Sequence, residues 1–156
     1  MVGAKLVGCS TGEPEIAKGL SNETITAGDL IVFRTDGQLE PCDGGAGTPA
    51  NGDAVSGIAL NTVSGSGKTV YFVKGTRLRI LMDSDEAGDS MAADLVGACF
   101  DITGATGAQQ VDISTAIQTG LVANTSQQLV LLEANPQGYG LDSDTSIGLF
   151  EIVKRL

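Results

Sequence analysis

The chain has 156 residues, 42% of them hydrophobic and 18% charged, with a formal net charge of −10. This excludes a disordered chain, which combines low hydrophobicity with high charge, and the length is enough to bury a core without disulfides or metals. The acidity disfavours sequence-independent nucleic-acid binding, and no apolar run approaches the roughly 18 residues of a membrane-spanning helix.

No 11-residue window carries a sustained helical apolar stripe. Short runs of Val, Ile, Leu, Thr and Phe instead alternate with Gly, Asp, Asn and Ser. The pattern predicts an all-β protein, a small barrel or sandwich built of hairpins with long Gly/Asp-rich loops. At the N-terminus Leu6-Val7-Gly8-Cys9 matches a lipobox. The few residues before it leave no room for an apolar leader segment of about 7–15 residues, so a lipid anchor is not expected.

The first hairpin is predicted over 30–35 and 38–42, joined by Asp36-Gly37 in a type I′ turn. Pro41 lacks an amide donor, which ends the second strand or puts it on an edge. Residues 43–53 read as a loop, 55–61 as a strand, Ser64-Gly65-Ser66-Gly67 as a turn and 69–74 as a strand. Gly75-Thr76 suits a II′ hairpin leading into a strand over 77–82. There Leu78, Ile80 and Met82 face a core, while Arg77 and Arg79 face water or an acidic partner.

An acidic loop over 83–94 follows, then strands over 95–102, 109–113, 129–134 and 147–153, with a short helical turn within 114–124. The last strand is apolar on both faces, through Ile147, Leu149 and Val153 on one and Phe150 and Ile152 on the other, so it is buried on both. Lys154, Arg155 and Leu156 lie beyond it. With Arg77 and Arg79 they are the candidate partner-binding residues. Residues 1–82 hold eight acids and seven bases, whereas 83–156 hold eleven acids and two bases, which suggests a soft seam near 83.

Little of this can carry chemistry. The absence of histidine removes the commonest general base and zinc ligand. Cys9, Cys42 and Cys99 are scattered and read as reduced thiols. Gly65-Ser66-Gly67-Lys68-Thr69 mimics the end of a phosphate-binding loop, but Thr62 stands where the first glycine belongs and a strand follows instead of a helix. Asp83, Asp85, Gly88 and Asp94 sit at calcium-loop spacing, yet Ala87 occupies a ligand position and the flanks are strand-like. No enzymatic activity, cofactor or metal is expected.

The segment from Ala27-Gly28-Asp29-Leu30-Ile31-Val32-Phe33 through Asp36-Gly37-Gln38-Leu39 to Gly52-Asp53-Ala54-Val55-Ser56-Gly57-Ile58-Ala59-Leu60-Asn61 resembles the small capsid decoration (cement) proteins of tailed bacteriophages, of the β-tulip or β-barrel type. So do Phe100-Asp101-Ile102-Thr103-Gly104 through Val111 and the ending Ile147-Gly148-Leu149-Phe150-Glu151-Ile152-Val153. The resemblance implies an N-terminal arm over 1–23 and a β-rich capsid-binding domain over 24–156. It implies a structural virion protein on the outer capsid surface, binding the major capsid protein as a homotrimer at three-fold or quasi-three-fold positions, with no direct contact to nucleic acid or membrane. The alternative is another β-rich phage binding module, such as a tail or head fibre or a carbohydrate-binding domain.

Overall fold

A computed structural model describes residues 3–10, 12–42, 55–75, 77–85, 91–117, 128–136 and 146–153. These residues form β1 (Lys5–Cys9), β2 (Glu15–Leu20), β3 (Leu30–Phe33), β4 (Leu39–Pro41), β5 (Gly57–Ala59), β6 (Thr69–Lys74) and β7 (Leu78–Asp83). After a 3-10 turn at Ala93–Leu95 come β8 (Cys99–Thr103), β9 (Gln110–Ile117), β10 (Leu129–Ala134) and β11 (Ile147–Ile152). The all-β expectation holds. The strands pair antiparallel in a large sheet, ordered β1-β7-β11-β10-β8-β9, and a small sheet, ordered β2-β6-β5-β3-β4. Neither closes into a barrel, so the arrangement is a sandwich. The small sheet does curl: Asn22 N donates to Leu39 O at 2.7 Å, bringing the start of β4 back beside the end of β2. No helix among the described residues is long and apolar enough to cross a membrane.

Several local expectations are corrected. The β3–β4 connection is not a two-residue I′ turn. Gly37 N donates to Arg34 O and Arg34 N to Gln38 O, leaving three loop residues with Gly37 at φ +82°. This is the three-residue loop in which only the last residue needs a positive φ, so Asp36 is spared one. Pro41 does end an edge strand. β6 and β7 do not form a hairpin: β6 pairs with β2 and β5, and β7 with β1 and β11. The chain crosses between sheets at 75–77, and Thr76 itself lies outside the described residues. Gly75 is there for space, because a Cβ would stand 2.8 Å from Cys9 Sγ. Arg77 takes the left-handed φ of +52° instead.

Residues 1–23 are not merely an appended arm, since β1 extends the large sheet and β2 the small one. Nor does a seam fall near 83: β7, before it, pairs along its length with β11, after it. Residues 114–117 continue β9 where a helical turn was expected, and 118–124 lie outside the described residues.

Directly opposed residues share a face of a sheet. The register therefore puts Leu30, Ile58 and Val73 on the face of the small sheet that packs against the large one. Ile80, Phe100 and Phe150 are among the residues that meet them in the same core. On its other face the small sheet curls around a second core of Ile25, Ile31, Leu39, Ala59, Val70 and Phe72.

Candidate partner-binding surface

Two of the five residues singled out from sequence meet in the structure. β7 and β11 run side by side with Arg79 opposite Glu151. Arg77 Nε lies 2.7 Å from Glu151 Oε1, Arg79 Nε lies 3.5 Å from Oε2, and Ser10 Oγ donates to the same Oε2. Glu151 is buried while both arginines remain about half exposed. Burying a carboxylate is costly unless it is paired. The first duty of Arg77 and Arg79 is therefore to neutralise Glu151, a partner 72 or more positions away that no local pattern announces. Lys154, Arg155 and Leu156 lie outside the described residues.

The double variant Arg77→Ala/Arg79→Ala is expected to lower stability by about 1–3 kcal/mol, a solvent-screened share of the cost of an unpaired buried charge. A urea melt measures it. An unchanged midpoint would release both arginines from the structural role.

The residues carrying the resemblance around Ala27-Gly28-Asp29 build a junction between the sheets. Asp29 is fully buried just before β3. Its Oδ2 accepts from Thr26 N at 2.7 Å and Thr106 Oγ1 at 2.6 Å, and its Oδ1 accepts from Gly107 N at 2.8 Å. Buried Gln109 then acts as a piece of backbone. Its Oε1 accepts from Leu30 N at 2.6 Å, and its Nε2 donates to Leu30 O at 3.0 Å and Cys42 O at 2.7 Å. The turn between β8 and β9 is thus hydrogen-bonded to β3 across the sandwich.

The small sheet carries most of the exposed large apolar side chains: Ile16, Leu20, Phe33 and Tyr71, with Leu60 just after β5. An open groove of about 510 Å³ runs between Ala17, Phe33, Ser56 and Phe72, with Lys18 and Lys74 at its rim. A second, of about 340 Å³, lies along Lys18, Leu20, Thr69 and Tyr71. Phe33 packs edge-on to Phe72 at 5.8 Å. The register puts Phe33 on the curled inner face and Tyr71 on the opposite one, so these two rings share no platform.

At the edge of the small sheet, Arg34 Nη1 lies 2.8 Å from Oε2 of buried Glu40. The hydrogen bond and charge of Glu40 hold the Arg34 guanidinium above the usual arginine range. The phosphate-loop look-alike is a turn leading into β6, with Gly65 and Gly67 at positive φ. Of the calcium-loop positions, Asp83, Asp85 and Asp94 are described, whereas 86–90 lie outside the described residues. No cluster of metal-ligating side chains occurs among the described residues. Cys9, Cys42 and Cys99 are unbridged, and burial pushes the Cys99 thiol up. No protein-family model matches this chain, and no curated protein matches it.

Proposed function

We propose that the protein is a structural binding module that decorates the outer surface of a tailed-phage capsid, attaching to the major capsid protein lattice. One observation supports this most: the residues on which the resemblance rests, Ala27-Gly28-Asp29 and the turn running to Gln109, serve as architecture. They lock a rigid two-sheet scaffold and present no reacting group. Exposed apolar side chains on the small sheet then offer surface for a protein partner. In this reading copies sit as homotrimers at three-fold or quasi-three-fold positions and belong to the virion. A ligand that binds only the assembled shell stabilises that shell by mass action, and contacts to several subunits at once multiply a modest affinity.

Co-sedimentation tests the proposal. The purified protein is expected to pellet with expanded capsids of its own phage and not with naked DNA at physiological salt. Binding to DNA, or failure to bind those capsids, overturns it. Attachment to tail or fibre assemblies instead would identify the alternative β-rich module.

A further inference from the structure

Gly8 of β1, Arg79 of β7 and Glu151 of β11 stand directly opposite one another across the large sheet. Leu78 and Ile80, on either side of Arg79, lie in the core, so this row sits on the face that points away from it. Arg77, just before β7, joins Arg79 on Glu151. Charge does not balance there: two guanidinium groups meet one carboxylate, which leaves one positive charge over. Elsewhere among the described residues Arg34 faces both Glu40 and Asp36, and Lys74 faces Glu15. Donors do not balance either. Two guanidinium groups carry about ten N–H donors, whereas a carboxylate offers about four acceptor sites. Ser10 Oγ already occupies one of those on Glu151. The arginine side chains remain 59% and 46% exposed, so the surplus donors face solvent.

The pair is held in place before any ligand arrives. Buried Glu151 grips both arginines at Nε. Arg77 also has the left-handed φ of +52°, which an L side chain rarely adopts, and its O accepts from Ser10 N at 3.2 Å. Long side chains fixed beforehand lose less freedom on binding. Beside Arg79 there is room: a Cβ added to Gly8 would meet nothing within 4 Å. Val7, next to it, is 53% exposed and offers an apolar contact. We infer that Arg77 and Arg79 receive a carboxylate side chain, Asp or Glu, from the surface of a partner protein. Glu151 positions both guanidinium groups, and the bare backbone of Gly8 is the gap through which the carboxylate reaches Arg79.

A carboxylate fits this site better than a phosphate. One monoanion cancels the surplus charge, whereas a dianion would overshoot it on a protein already at −10. The planar carboxylate also matches the fork of a guanidinium. A free carboxylate gains little from an exposed arginine in water, but the contact strengthens once a partner surface covers it and lowers the local dielectric. That favours a carboxylate carried on a protein over a small acid. The site stands whether or not the partner is a capsid shell, so the test below and capsid sedimentation can fail independently.

A nitrogen-15 NMR titration of the intact protein tests it. The probe is the peptide Gly-Glu-Gly, capped at both ends so that the Glu side chain is its only carboxylate, and capped Gly-Gln-Gly is the comparison. At constant ionic strength the Glu peptide is expected to shift the Arg77 and Arg79 Nε–H signals saturably below about 100 mM. The Gln peptide is expected to bind about tenfold more weakly. Gly8→Glu puts a carboxylate of the chain's own opposite Arg79, so it should abolish the shifts caused by the Glu peptide without lowering the melting temperature. No saturable shift, equal binding of the two peptides, tighter binding of inorganic phosphate, or parental binding by a folded Gly8→Glu variant overturns the inference. If Gly8→Glu fails to fold, the comparison of the two peptides decides alone. Self-association in sedimentation equilibrium that Gly8→Glu abolishes would assign the carboxylate to a second copy and overturn the partner named here.

Discussion

Phe150→Ala is expected to destabilise the protein by about 3–5 kcal/mol, the usual cost of truncating a buried aromatic and leaving a cavity. The ring is fully buried on β11, and it packs edge-on against Phe100 at 5.9 Å. It also covers Gly148, where an added Cβ would stand 2.6 Å from Phe150 Cζ. β11 is an interior strand of the large sheet, paired on both sides, so the backbone has little freedom to collapse into the space. For a chain of this size the loss corresponds to a drop in melting temperature of about 10 °C. Phe33→Ala is the control: that ring is 46% exposed, and its removal should cost about 1 kcal/mol. Circular dichroism melts compare the two. Equal shifts would mean that Phe150 does not anchor the core.

The burial of β11 was legible because its sequence is apolar at both odd and even positions, which only an interior strand tolerates. The one-sided character of β7 was legible at Leu78, Arg79 and Ile80, but Leu81 and Asp83 are buried as well. β1 and β2 were not legible. Each is short, each contains a glycine, Gly8 or Gly19, and the exposed Ile16 and Leu20 break the expected link between apolar and buried. The sheet change at 75–77 was also hidden. A glycine between two alternating strands reads as a hairpin, and only the crowding of Gly75 against Cys9, 66 positions earlier, shows its real task.

The candidate surface was half legible for a related reason. Alternation exposed Arg77 and Arg79 correctly, but charge patterning cannot tell an arginine facing a partner from one facing its own chain. Glu151 is the deciding residue, and it sits in an apolar run, Leu149-Phe150-Glu151-Ile152, where a sequence reading sees only core. Lys18 was missed because its strand was missed. One signal was available: Ile16, Lys18 and Leu20 alternate with Glu15, Ala17 and Gly19 in the period of a strand.

The second large effect belongs to Asp29. Asp29→Ala should cost about 3–5 kcal/mol, because it strands three donors that the folded chain otherwise satisfies: Thr26 N, Thr106 Oγ1 and Gly107 N. Hydrogen bonds to a charged acceptor contribute about 1.5–3 kcal/mol each, and a buried donor left unpaired forfeits its hydration as well. The loss is not confined to the loop. Leu30, the next residue, is held by Gln109 from across the sandwich, so loosening the Gly104–Gly107 turn also loosens Gln109. Asp29→Ala and Gln109→Leu should therefore be non-additive in a double-mutant cycle, as residues in one network are. Asp29→Asn separates charge from shape. It keeps one carbonyl oxygen and places an amide NH₂ against a donor, so about half the loss is expected. Asp36→Ala provides the contrast, because that exposed side chain accepts from Gln38 N at 2.9 Å within its own turn and makes a solvent-exposed ion pair with Arg34 Nε at 3.5 Å. Its removal should cost under about 1 kcal/mol. Urea melts give the ranking, and hydrogen exchange locates the damage: Leu30 and Gly107 amides should lose protection together in Asp29→Ala. If Asp29→Ala melts with the Asp36→Ala variant, the sheets are held by apolar packing alone and the polar junction is dispensable.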